Sequence, residues 1–90
     1  MNVTAAELDH ALLKVLDSNR TRYGLNAAAL IFRLRSLDIV AKEDELVIRL
    51  EYLSARMPAL VEEVRPEINR QNRVWKISND GIGYVDEHNL

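Results

Sequence analysis

Residues 74–85 read VWKISNDGIGYV, and the order of elements in this stretch guides the interpretation of the whole chain. Its first four residues have the spacing and the β-branched and aromatic character of a strand. Ser78 or Asn79 then provides a helix N-cap, and Asp80 follows in the first turn, where the helix dipole stabilises a carboxylate. The stretch therefore predicts a strand that leads directly into a short capped helix.

Upstream of this stretch, the apolar spacing predicts three amphipathic helices. The first covers residues 4–18 and begins at Thr4, which has capping-box spacing to Glu7. The second covers about residues 26–37, and the third about residues 43–56. The residues predicted to face the core are Leu8, Ala11, Leu12, Val15 and Leu16 on the first helix, Ala27, Leu30, Ile31, Leu34 and Leu37 on the second, and Leu46, Val47, Leu50, Leu53 and Met57 on the third.

A hairpin is predicted between the third helix and the closing stretch. Pro58 ends the helix, because the residue before a proline is disfavoured in the helical region. Apolar and charged residues then alternate, which predicts a strand with Val61, Val64 and Ile68 as candidates for one face. Residues 68–72 contain two asparagines and predict the turn that returns the chain to Val74.

This order of elements resembles that of the winged-helix superfamily, a variant of the helix-turn-helix. The likeness depends on the short 37–39 connection, on the strand entry at 60–61 and on the VWKISNDGIGYV ending. It implies an α+β fold in which residues 1–90 form a single winged-helix domain. That domain has three helices, a two-stranded β-hairpin wing and a short C-terminal helix. We expect Gly81 to allow close approach to the third helix or the hairpin, whereas Gly83 weakens the last helix by about 1 kcal/mol relative to alanine.

The composition of the chain is that of a globular protein. The 90 residues are 48% hydrophobic and 29% charged, as in a globular domain with one modest core. The chain has no cysteine, no secretory leader and no apolar run long enough to span a membrane, so we expect a cytoplasmic protein without a membrane partner. His10 and His88 lack a second ligand at metal spacing, and no phosphate loop or nucleophile elbow is present. We therefore predict no enzymatic activity, no metal and no cofactor.

The resemblance implies a DNA-binding transcription regulator, because winged helices place the third helix in the major groove and the wing on the backbone or minor groove. The partner would be double-stranded DNA, bound by a homodimer. Residues 65–76 hold four basic residues and one acid, which suits phosphate contact. Candidate dimer surfaces are the first helix with Leu13 and the tail with Ile82, Tyr84 and Val85. The candidate nucleic-acid contacts are Arg49, Tyr52, Arg56, Arg70, Gln71, Asn72 and Arg73.

The third helix also supports a different interpretation. Residues 43–57 hold four acids and two arginines, and acids beside phosphates lower the affinity for DNA. Ile48 and Tyr52 occupy the outward centre of this helix, and Phe32 lies on the outer side of the second. These three residues predict the partner-binding surface of a protein–protein interaction module that does not bind DNA. A third alternative is a phage or plasmid accessory protein that mimics or masks DNA through its acids.

Overall fold

The structure is a computed structural model that describes residues 4–20, 24–64 and 73–90. The elements run in the order α1 (Ala5–Ser18), β1 (Leu25–Asn26), α2 (Ala27–Arg35), α3 (Glu43–Ala55), β2 (Val61–Val64), β3 (Val74–Ile77) and α4 (Asn79–Glu87). The four predicted helices and two predicted strands are present, and the first three helices begin and end within two residues of their predicted bounds. The turn predicted at 68–72 lies outside the described residues.

Three of the four helices begin with a side chain that caps the first turn. The oxygens of Thr4, Asn26 and Ser78 each accept a hydrogen bond from the amide three residues ahead, at 3.1, 2.8 and 2.9 Å. These bonds satisfy amides that have no partner within the helix. The exception is α3, which starts after Lys42 without a side-chain cap and carries three acids in its first turn.

The sheet has three antiparallel strands in the order β1-β3-β2, so the prediction of a two-stranded hairpin was incomplete. The third strand is β1, where Leu25 is opposite Trp75. Gly24 has a φ of 75°, and a Cβ at this position would lie 2.6 Å from the carbonyl oxygen of Trp75. Only glycine fits this conformation and this close approach, and it allows β1 to pair with β3.

The register of β2 corrects one predicted face. Val61 is opposite Ile77 and Val64 is opposite Val74. Because side chains alternate along a strand, residues three apart lie on opposite faces, so the prediction that Val61 and Val64 share a face is wrong. Val61 is buried together with Trp75 on the core side.

The core lies where α1 packs against α2, α3, α4 and β3. Leu13 is buried because α1 has neighbours on several sides, and Val85 of α4 is buried as well. Leu37 and Met57 were predicted to be buried, but they are 42% and 93% exposed. Both lie beyond the ends of their helices, at Arg35 and Ala55, where helical spacing no longer directs a side chain inward.

A corner at residues 59–60 and 78–81 joins β3 and α4 to the end of α3, and we call it the closing corner. The Ser78 hydroxyl donates to the carbonyl of Ala59 at 2.6 Å, and the Ser78 amide donates to the carbonyl of Leu60 at 3.1 Å. A Cβ on Gly81 would overlap that Leu60 carbonyl and lie 2.7 Å from Ile77. The predicted close approach at Gly81 is confirmed, and it occurs just before β2.

Candidate nucleic-acid and partner interface

Arg49 of α3 was predicted to contact DNA, but its side chain binds α1. Its Nε and Nη2 atoms donate to the two carboxylate oxygens of Asp9 at 2.7 and 2.6 Å. The guanidinium also lies 4.6 Å from the centroid of the Tyr52 ring. Hydrogen bonding to Asp9 raises the pKa of Arg49 above its ordinary value. The Arg49–Asp9 pair, of which both side chains are mostly buried, therefore holds α3 against α1.

Arg73 joins the base of the hairpin to α3. Its Nε and Nη2 atoms donate to the carboxylate of Glu63 on β2, at 3.2 and 2.8 Å. Its Nη1 atom donates to Glu51 on α3 at 2.8 Å, and its guanidinium lies 4.7 Å from the Trp75 ring. Hydrogen bonds to Glu63 and then Glu51 raise the pKa of Arg73 above its ordinary value. Arg73 is thus bound to two acids at the junction of three elements.

A depression between α1, α3 and α4 brings together three of the predicted nucleic-acid residues. Arg49, Tyr52 and Arg56 line this space of about 210 Å³, which we call the Tyr52 depression. Tyr52 is half-exposed there, and the Arg56 guanidinium lies 5.8 Å from the Tyr84 ring. The hairpin residues predicted to contact DNA, Arg70, Gln71 and Asn72, lie outside the described residues.

Tyr84 also brings the two histidines to one place, which the sequence did not indicate. The His88 ring stacks on the Tyr84 ring with centroids 3.9 Å apart. The His10 ring approaches Tyr84 at 6.3 Å. Among the described residues, no group of three acids or histidines is arranged to hold a metal ion.

The three predicted partner-binding residues do not line one common space. Phe32 is 77% exposed on α2, and it lines neither the Tyr52 depression nor the space beside Ile48. Ile48 lies in a groove of about 410 Å³ between α1 and α3, which we call the α1–α3 groove. Val40, which was not predicted to bind a partner, lines the same groove and is 66% exposed. The groove is lined by Thr4, Ala5, Leu8, Val40, Glu45, Ile48 and Arg49.

The acids of α3 differ between its two halves. In the first turn, Glu43, Asp44 and Glu45 are exposed and form no ion pair with any residue that the structure describes. Further along, Glu51 binds Arg73. The N-terminal half of α3 therefore presents negative charge that is unpaired among the described residues, whereas the acid of the C-terminal half is paired with Arg73.

In the described ranges, no helix has the length and apolar character needed to cross a membrane.

No model of a known protein family matches the chain, and no curated protein matches it. Two solved structures of ZitR from Lactococcus lactis are similar in fold. One is a single-substitution variant at 13% identity with a TM-score of 0.65, and the other is a double-substitution variant at 15% identity with a TM-score of 0.66. Both comparisons cover 99% of this chain, which spans about half the length of the ZitR chains, at 53% and 52%. The chain therefore has an α+β fold similar to that of these parts of the ZitR chains.

Proposed function

We propose that this chain is a non-enzymatic winged-helix regulator that binds duplex DNA. The observation that supports the proposal is the likeness of fold to ZitR over 99% of the chain, taken together with the order of elements, which resembles that of DNA-binding winged helices. The proposal treats residues 1–90 as a single winged-helix domain that acts in the cytoplasm. The β2–β3 hairpin is the wing in this proposal, and α3 is the helix that faces the DNA.

The distribution of charge along residues 41–76 favours DNA contact at one end of α3 and in the hairpin. Residues 41–48 contain one basic residue and three acids, whereas residues 49–76 contain six basic residues and four acids. Phosphate repulsion disfavours the first segment, because backbone charge supplies most of the affinity for nucleic acid. We therefore assign the contacts to the C-terminal half of α3, through Tyr52 and Arg56, and to Arg70, Gln71 and Asn72 in the hairpin.

Arg49 and Arg73 have a positioning role in this proposal. Arg49 donates to Asp9, and Arg73 donates to Glu51 and Glu63. These N–H groups are therefore not available to donate to a base or a phosphate. Arg73 fixes the base of the hairpin relative to α3, which sets the distance between the two DNA-contacting elements. Each positioning side chain acts on DNA through the geometry that it maintains.

We also propose that the regulator is a homodimer, because a dimer reads two half-sites. The prediction that Leu13 and Val85 lie at the dimer interface is wrong, since both are buried within one chain. Ile82 and Tyr84 are partly exposed and stay candidates for the contact. Light scattering across a concentration series measures the oligomeric state. A mass that stays at one chain at all concentrations contradicts the dimer.

A salt series tests DNA binding directly. We expect a labelled duplex of random sequence to bind with roughly micromolar affinity at low salt, and the affinity to fall steeply as salt is added. Arg70→Ala lowers the salt slope by about 1, because one phosphate contact is lost. Arg33→Ala is the matched control, since Arg33 is exposed on α2 and lines a depression on the α1–α2 side. Absence of binding at low salt, or equal effects of the two variants, contradicts the proposal.

A further inference from the structure

The α1–α3 groove combines apolar walls with an open mouth. Its floor is the buried Leu8 of α1, and its sides include Ala5 of α1 and Ile48 of α3. Val40, in the connection before α3, extends the apolar lining. Among the residues that the structure describes, none covers Val40 or Ile48, which are 66% and 60% exposed. Two adjacent β-branched side chains in a concave site form the kind of surface that an apolar anchor of a partner fills.

One wall of the groove is held rigid by the ion pair described above. Arg49 lines both the α1–α3 groove and the Tyr52 depression, so the Arg49–Asp9 pair separates the two spaces. Two hydrogen bonds hold its guanidinium, so this side chain does not fold across the groove. Its positive charge is matched by Asp9. A preformed wall lowers the entropic cost of binding, because less side-chain freedom is lost.

The two helix ends that border the groove carry net negative charge. The first turns of α1 and α3 and the residue that precedes α3 carry four acids and one base, namely Glu7, Glu43, Asp44, Glu45 and Lys42. The N-terminal ends of the two helices contribute about half a positive charge each. The acids outweigh the lysine and the two helix ends together by about two charges. Glu45 lines the groove itself.

The negative charge beside the groove determines which kind of partner can bind there. Phosphates of DNA and anionic lipid headgroups are repelled by unpaired carboxylates. A second copy of the chain in a symmetric contact would bring Glu45 and its neighbours against the same acids of its mate. A cationic partner is attracted, and its apolar side chains can enter the groove. Because the walls are two helices, a helix that lies between them buries residues spaced three and four apart.

We propose that the α1–α3 groove binds a basic amphipathic helix of a partner protein. Apolar residues on one face of that helix contact Val40 and Ile48, and lysine or arginine residues beside them face Glu45 and the acids of the α3 first turn. The site lies on the acidic half of α3, and the Arg49–Asp9 pair separates it from the Tyr52 depression to which we assign DNA. The two binding events are therefore separable by mutation.

Nuclear magnetic resonance with two designed peptides tests this proposal on the full chain. The first peptide is a helix with leucines at positions i, i+3, i+4 and i+7 and lysines elsewhere, and the second has glutamates in place of the lysines. We expect the leucine–lysine peptide to shift the amides of Ala5, Leu8, Val40, Glu45 and Ile48 in the ¹⁵N-labelled protein. The leucine–glutamate peptide shifts none of them. Shifts spread over the surface or centred elsewhere, absence of binding, or equal binding of the two peptides overturns the proposal.

A pair of variants then distinguishes binding in the groove from non-specific binding to exposed apolar side chains. Ile48→Ser weakens binding of the leucine–lysine peptide by about tenfold, because an anchor contact is lost. Phe32→Ser is the control, since Phe32 is even more exposed but lies outside the groove. Equal losses in the two variants overturn the proposal.

A second pair tests the charge. Glu45→Gln weakens binding of the same peptide and Glu87→Gln leaves it unchanged, although both variants remove one exposed negative charge. An equal loss in the two glutamate variants shows general attraction to an acidic protein and overturns the site. Affinity that is unchanged in Glu45→Gln also overturns it.

Discussion

The closing corner and the α1–α3 groove both adjoin α3, but they differ in how many of their side chains and backbone groups have a hydrogen-bonding or packing partner. In the corner, Ser78 makes four hydrogen bonds and Gly81 leaves no space against the Leu60 carbonyl. In the groove, Val40 and Ile48 are exposed and the nearby acids form no ion pair with a described residue. A region whose groups are hydrogen-bonded and packed within the chain stabilises the fold. A region of exposed apolar and charged side chains is available to bind a partner. Substitutions in the two regions should therefore change different measured quantities.

The largest effect is expected from Gly81→Ala. The added methyl group overlaps the Leu60 carbonyl, so either α4 or the entry to β2 must move. We expect the free energy of unfolding to fall by about 3 kcal/mol, the upper end for an overpacked site. Urea denaturation followed by the fluorescence of Trp75, the one tryptophan of the chain, measures the change.

The matched control is Gly83→Ala, two residues along the same helix. A Cβ there has no atom within 4 Å, so the substitution gains helix propensity without a clash. We expect the free energy of unfolding to rise by about 0.8 kcal/mol. Equal effects of the two substitutions would show that the closing corner is not tightly packed.

Ser78→Ala tests the hydrogen bonds of the same corner. The substitution removes the cap of α4 and leaves the Ala59 carbonyl without its donor. We expect the free energy of unfolding to fall by about 2 kcal/mol. Asn79→Ala, at the exposed first residue of α4, should change it by less than about 0.5 kcal/mol. A similar loss at both positions would contradict the assignment of the cap to Ser78.

A double-mutant cycle on Arg49 and Asp9 tests the wall of the groove. Removing either side chain breaks a two-point ion pair that is mostly shielded from water. We expect a coupling free energy of about 1–2 kcal/mol between Arg49→Ala and Asp9→Ala. Arg49→Lys should recover only part of it, because an ammonium cannot donate in parallel to both oxygens. A coupling near zero would contradict a structural role for the pair.

The smallest effect on stability is expected from Ile48→Ser. The side chain is 60% exposed, so the free energy of unfolding should change by less than about 0.5 kcal/mol in urea denaturation. The same variant should lose most of its affinity for the leucine–lysine peptide. A large loss of stability would mean that Ile48 belongs to the core, and the contrast between the corner and the groove would fail.

The elements that local signals specify could be predicted from the sequence. Thr4 caps the first helix as predicted, and Ser78, one of the two predicted candidates, caps the last, because a cap depends on residues within one turn. The strand β1 was missed, because two residues show no alternation and their pairing with β3 joins positions 50 and 48 apart. Leu37 and Met57 were misplaced because the helices end before them.

The ion pairs of Arg49 and Arg73 could not be predicted from the sequence of α3 alone. Counting charges on α3 shows its net charge but not which charges are paired. Arg49 finds Asp9 at a separation of 40 residues, and Arg73 finds Glu51 at 22. Such pairs depend on how α1 and the hairpin pack against α3, which only the tertiary structure shows. The exposed pair of Val40 and Ile48 depends in the same way on the packing of α1 against α3.

A titration of ¹⁵N-labelled protein with duplex DNA at low salt locates the DNA contact on the chain. We predict saturable shifts in the amides around Tyr52 and Arg56 and in those of Arg70, Gln71 and Asn72. We predict no shifts beyond background in the acidic first turn of α3 at residues 43–45. Shifts centred on that turn, or a spectrum that DNA leaves unchanged, would contradict the proposal.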